Sequence, residues 1–172
     1  MKIQMLALFA LVPSVAAIAV ADPLPKPIEG LEALVGSWKG TGQMAMGKDK
    51  ANVDLTLGCK RTSAKFGVEC QFTVKGIPGV ALYEETDLFG YEPGSDTYHW
   101  FSVTNAGETH DHVAKAGDFG KIQFAYNGTQ EGKPMKEVID LEFAKDARSF
   151  SFRTETFVAG QSVAVLTAKG HK

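Results

Sequence analysis

The sequence predicts an all-β protein: a single antiparallel up-and-down β-barrel of about ten strands with a short N-terminal helical cap. Three observations carry this expectation. Apolar residues recur at every second position, as in Ile122, Phe124 and Tyr126 against Lys121, Gln123 and Ala125, or Ile139, Leu141 and Phe143 against Asp140 and Glu142. Successive side chains of a strand point to opposite sides, so such alternation gives one buried and one wet face. The runs are short and are divided at regular spacing by Gly, Pro, Asn and Asp clusters, which favours hairpins over helical crossovers. A meander with a distinct inside and outside favours closure, because closure removes unpaired edges. An open sandwich of the same strands is the alternative.

Residues 1–21 read as a secretory signal peptide. Met1-Lys2 is a positive n-region, Ile3 to Val20 is apolar or small apart from Gln4, Pro13 and Ser14, and Ala19-Val20-Ala21 supplies an A-x-A cleavage signature. A retained anchor is disfavoured because the apolar run is short, broken by Pro13 and ends in small residues. No Cys follows the apolar run, which disfavours a lipoprotein anchor, and no later segment is long and apolar enough for a spanning helix. Cleavage would leave 151 of 172 residues, enough for one domain with a full core. It would also leave 17 basic against 20 acidic residues, interspersed, with no electrostatic footprint for nucleic acid or an anionic membrane.

Residues 22–33 form a proline-rich linker, Asp22-Pro23-Leu24-Pro25-Lys26-Pro27, running into a short helix with Ile28, Leu31, Leu34 and Val35 on its apolar side. Residues 34–172 are the barrel domain. Its expected strands are 35–46, 51–60, 65–75, 79–90, 96–104, 109–116, 119–127, 134–144, 148–158 and 162–170. Gly117-Asp118, Asn127-Gly128, Glu131-Gly132-Lys133-Pro134 and Ala144-Lys145-Asp146-Ala147 read as turns. Asn127-Gly128-Thr129 also matches a glycosylation sequon, but Asn-Gly has a structural reason as a turn.

Cys59 and Cys70 each belong to an apolar parity set, Val53, Leu55, Leu57, Cys59 and Phe66, Val68, Cys70, Phe72, Val74. Those sets pair as a hairpin, so a cross-strand disulfide is expected, worth roughly 3 kcal/mol on the chain-entropy model. The spacing lacks the C-x-x-C form of a redox-active pair.

Leu34-Val35-Gly36-Ser37-Trp38-Lys39-Gly40-Thr41-Gly42, followed by Leu88-Phe89-Gly90-Tyr91-Glu92-Pro93 and the aromatic run Tyr98-His99-Trp100-Phe101, resembles an uncharacterised family of secreted bacterial proteins with a lipocalin-like (calycin-type) barrel. The resemblance covers most of the chain beyond residue 21. It implies that Trp38 plugs one end of the barrel and that the protein is periplasmic or secreted. The first stretch also resembles nitrobindin-type haem barrels, which hold haem through a His on a late strand; here the late His is His171. In lipocalins proper an Arg of the last strand stacks on the first-strand Trp, and that strand here offers Lys169.

Glu108-Thr109-His110-Asp111-His112, with His99, is the densest group of ligating side chains. A hairpin turning at Ala106-Gly107 sets Val103 opposite His110, Phe101 opposite His112 and His99 opposite Ala114. His99, His110 and His112 then share a face and suit Zn²⁺ or Cu²⁺, or haem through one imidazole. A change of one residue in the loop would move His99 to the other side. For the interior, Trp38, Phe72, Phe124, Tyr126, Phe143 and Phe152, with Phe66 and Phe150, are available to line a ligand cavity or to fill it. Glu85 and Asp87 share parity with Tyr83 and Phe89, and a carboxylate buried there would have a raised pKa. The sequence holds no G-x-S-x-G, H-E-x-x-H, Walker A or dinucleotide motif, so no reaction is assigned. The leading expectation is a non-enzymatic protein that binds a small apolar or amphipathic ligand inside the barrel. The alternatives are a metal or haem protein using the histidines, and a surface interaction module around a filled barrel.

Overall fold

The computed structural model describes residues 26–63 and 65–172. The expected signal peptide and Asp22–Pro25 of the linker lie outside the described residues. A short helix α1 (Lys26–Gly30) and a 3₁₀ turn (Leu31–Ala33) lead into ten strands: β1 (Gly36–Met46), β2 (Asp49–Arg61), β3 (Gly67–Lys75), β4 (Tyr83–Glu92), β5 (Thr97–Thr104), β6 (Thr109–Lys115), β7 (Lys121–Gln130), β8 (Lys133–Phe143), β9 (Ser149–Val158) and β10 (Gln161–His171). Each strand pairs antiparallel with its sequence neighbours, and β10 closes on β1 from Lys39↔His171 to Met46↔Ala164. The barrel is therefore closed and up-and-down, and the sandwich alternative falls.

Closure needs close backbone approach where β1 meets β10. A side chain at Gly40 or Gly42 would run into the carbonyls of Lys169 and Thr167, so glycine is required at that seam. Two hairpins turn through residues with positive φ at both loop positions: Glu131-Gly132 (51° and 76°) between Gln130↔Lys133, and Ala159-Gly160 (50° and 79°) between Val158↔Gln161. That backbone matches the right-handed twist of the flanking strands. Asn127-Gly128, expected as a turn, instead lies within β7. Gly128 is there because the Tyr126 ring folds over its Cα and occupies the space a Cβ would need.

The end of the barrel under α1 is filled. Trp38 is 1 % exposed, donates Nε1–H to the Leu34 carbonyl at 2.7 Å, and packs on Phe150 and Phe143 at ring distances of 5.4 and 5.7 Å. Tyr98, Phe119 and Leu31 complete this plug, with the Tyr98 hydroxyl donating to the Pro27 carbonyl at 3.2 Å. The cation over the Trp38 ring is Lys172 Nζ, 4.6 Å from the centroid, rather than Lys169, whose odd parity on β10 turns it outward. Cys59 and Cys70 face each other across β2 and β3 and are disulfide-bonded, their two apolar parity sets meeting as Leu55↔Val74, Leu57↔Phe72 and Cys59↔Cys70.

One seam differs from the rest. β6 and β7 are registered only at Val113↔Ala125, whereas the other neighbouring strands pair along most of their length. Toward the other end of the barrel, side-chain contact takes the place of that ladder: the His110 and Tyr126 rings stack with centroids 4.2 Å apart.

Candidate functional site

The end opposite α1 is a cup. Its cavity is about 660 Å³, bounded at the rim by the loops after β3, β5 and β7, and it reaches down to Phe72, Trp100 and Phe152. Those three rings also roof a second space of about 40 Å³ beneath, lined by Leu34, Leu55, Phe89 and Phe143 among others. One wall is apolar, with Met44, Val74, Ile77 and Leu166. The facing wall carries His110 and His112 from β6, Glu137 from β8, and Thr154 and Thr156 from β9.

The H-x-H of β6 puts both imidazoles on the lumen face because strand side chains repeat every two residues. Glu137 reaches the same face because it shares parity with Ile139, Leu141 and Phe143. Its Oε2 lies 2.9 Å from His112 Nε2 and 3.4 Å from His110 Nδ1, while Oε1 accepts hydrogen bonds from the Thr154 and Thr156 hydroxyls at 3.0 and 3.3 Å. Burial alone would push the Glu137 carboxyl up. The hydrogen bonds from His110 and His112 outweigh burial and hold it well below the usual carboxylate range. The hydrogen bond to Glu137 correspondingly raises His110, against a smaller opposing effect of burial.

An acidic pair lies deeper. Asp87 is 1 % exposed and accepts a hydrogen bond from Trp100 Nε1 at 2.7 Å. Desolvation, then the neighbouring Glu85 carboxylate, push Asp87 well above its ordinary value, and the Trp100 hydrogen bond offsets only part of this. Glu85 accepts from the Tyr83 hydroxyl at 3.0 Å, and Tyr83 is itself pushed up by burial and by Glu85. The lumen thus holds one ionised carboxylate between two imidazoles and one carboxyl shifted toward its neutral form.

The three histidines do not converge. The β5–β6 hairpin is closed by the Thr104 N–H bonded to the Glu108 carbonyl at 3.0 Å, around three residues, Asn105-Ala106-Gly107, with Gly107 at φ +82°. The turn expected at Ala106-Gly107 has two, so the register moves by one: Ser102 faces His110, Trp100 faces His112 and His99 faces Val113. His99 consequently lies on the outer face, where its Nδ1 sits 3.1 Å from both Asp111 carboxylate oxygens. Glu137, from a different hairpin, occupies the third position beside His110 and His112. Among the aromatic residues expected to line a cavity, Phe72 and Phe152 do so at the cup floor. Trp38, Phe143 and Phe150 fill the capped end, Phe124 is fully buried between Phe89 and Trp100, Tyr126 backs His110, and Phe66 is 58 % exposed in the β2–β3 loop. Trp100, absent from the expected lining, is at the floor. His171, the residue the nitrobindin resemblance implies for haem, is exposed on β10 opposite Lys39, where it cannot reach the lumen; the residues present do not fit haem held in that way.

No family model matches the chain, and no curated protein matches it. Solved structures do. The crystal structure of Rv2717c from M. tuberculosis superposes with a TM-score of 0.63 at 15% identity, covering 87% of this chain and 99% of that one. The S-type phycobiliprotein lyase CPES from Guillardia theta superposes with a TM-score of 0.57 at 10% identity, covering 87% of this chain and 98% of that one. At these identities the likeness is one of fold: a ten-stranded calycin-like barrel.

Proposed function

We propose that this protein is exported and binds one small amphipathic molecule in the open cup of its barrel. The observation that carries the reading is the cavity of about 660 Å³, apolar on one wall and furnished on the other with a few convergent polar groups. Ligand sites generally combine a concave, mostly apolar chamber of roughly 300–1,000 Å³ with a small number of placed polar side chains. The apolar part of the ligand would lie against Met44, Val74, Ile77 and Leu166, over the ring floor. Its polar part would meet the His110, His112 and Glu137 wall. Export rests on the A-x-A leader and on Cys59–Cys70, since disulfides persist in oxidising compartments. That a phycobiliprotein lyase shares the fold supports small-ligand use of such a barrel.

Native mass spectrometry of detergent-free protein, before and after incubation with a lipid extract, tests this reading. We expect a one-to-one adduct that is lost in Ala164→Trp, where new bulk on the cup wall fills the chamber. An unchanged apo mass after incubation, or an adduct that persists in Ala164→Trp, would overturn it.

A further inference from the structure

His110, His112 and Glu137 are arranged beyond what packing requires. Their three nearest ligating atoms lie within 4.8 Å of one another. Glu137 Oε2 is 2.9 Å from His112 Nε2 and 3.4 Å from His110 Nδ1. Tetrahedral Zn²⁺ bonds nitrogen and oxygen at about 2.0–2.1 Å, which sets neighbouring ligand atoms roughly 3.3–3.4 Å apart. Small side-chain rotations therefore suffice to place all three atoms on one ion.

The supporting contacts point the same way. The Thr154 and Thr156 hydroxyls hold Glu137 Oε1, so Oε2 is turned toward the imidazoles. Fixing the far oxygen of a ligating carboxylate is how outer contacts orient a metal ligand. Stacking on Tyr126 sets the His110 ring plane. Side-chain exposures of 3 % for His112, 13 % for His110 and 17 % for Glu137 keep the group largely dry while leaving it open toward the cup. Two imidazoles and one carboxylate are a donor set suited to Zn²⁺, and three protein ligands leave a fourth position free.

We infer that His110, His112 and Glu137 form a three-ligand site for Zn²⁺, or a like first-row dication, in the cup wall, with its open coordination position facing the lumen. A donor atom on a molecule bound in the cup would complete the coordination. The inference stands on the geometry of three side chains and goes beyond the small-ligand reading.

The test uses protein without a polyhistidine tag, titrated calorimetrically with Zn²⁺ near neutral pH and with Co²⁺ followed by visible absorption. We expect one ion per chain and the intense visible bands of four-coordinate Co²⁺. Affinity should fall on the order of 100-fold in His110→Ala and in Glu137→Gln, because each removes one of three ligands. It should be unchanged in His99→Ala and His171→Ala, whose imidazoles lie outside the lumen. His110 is at the cup wall and partly exposed, so His110→Ala carries the test if Glu137→Gln fails to give native circular dichroism. No saturable Zn²⁺ binding by the folded protein, or a loss in His99→Ala or His171→Ala as large as in His110→Ala, would overturn the site. A negative metal titration alongside a positive lipid adduct would remove this site and leave the cup reading standing.

Discussion

The two ends of this barrel use the same alternation for opposite ends. Under α1, the inward positions are aromatic and mutually in contact: Trp38, Phe143, Phe150, Phe119 and Tyr98 fill the lumen, and the Trp38 N–H is answered by a backbone carbonyl. At the other end the inward positions are Met, Val, Thr, His and Glu, whose side chains line a chamber without filling it. Filling the closed end supplies cohesion, because dense packing makes each missing methylene costly. The open end is less densely filled and carries the polar groups His110, His112 and Glu137. The rings of Phe72, Trp100 and Phe152 mark the boundary between the two regimes.

The largest effect should come from truncating the plug. Trp38→Ala removes two ring contacts and a buried hydrogen bond and should cost roughly 3–5 kcal/mol, measured by urea unfolding. Met44→Ala, on the half-buried cup wall, should cost about 1 kcal/mol or less. Equal losses would erase the distinction between the ends. Next, replacing both Cys59 and Cys70 by Ala should cost about 3 kcal/mol in the same assay, since the bridge closes a loop with a sequence separation of 11.

A pH series sharpens the comparison at the boundary. The folded pKa of Asp87 is raised, so the native state binds a proton more readily than the unfolded chain does. The associated stability is complete below the unfolded value of 3.8 and is lost as pH rises through the folded value. Asp87→Asn keeps an acceptor for Trp100 Nε1 and carries no charge beside Glu85. Its stability relative to the parent should therefore climb as pH rises above about 4. Parallel stability curves for the two proteins would contradict the assigned burial of a carboxyl there. The smallest effect belongs to the outer face. His99→Ala breaks outer-face contacts with Asp111, Thr97 and Glu92, all largely solvated, and should change stability by less than about 0.5 kcal/mol.

Much of the closed end was legible in the sequence, because it depends on period-two parity and on neighbouring strands. Ten strands, closure and the Cys59–Cys70 pairing follow from alternation that survives small errors in strand limits, while Trp38 as plug came from the lipocalin-like resemblance of the Gly36-Ser37-Trp38 stretch. The open end depends on register, which a single loop residue controls: Asn105 in the loop after β5 carried His99 from the lumen to the outside. Glu137 was missed because it lies on a different hairpin from the histidines. A signal for it existed, since it is a carboxylate in the same parity set as Ile139, Leu141 and Phe143. Gly128 misled for a different reason: Asn-Gly is a strong hairpin signal, but here the glycine makes room for the Tyr126 ring inside a strand.

The central claim, that the open end is a ligand chamber and the capped end is not, can be tested with the two tryptophans, one in each region. Trp100 is at the cup floor and Trp38 is inside the plug. Single-tryptophan proteins, Trp38→Phe and Trp100→Phe, would be titrated with a brominated amphiphile, which quenches only on contact. Saturable one-to-one quenching of Trp100 and none of Trp38 is expected. No saturable quenching of Trp100, or equal quenching of both, would contradict it.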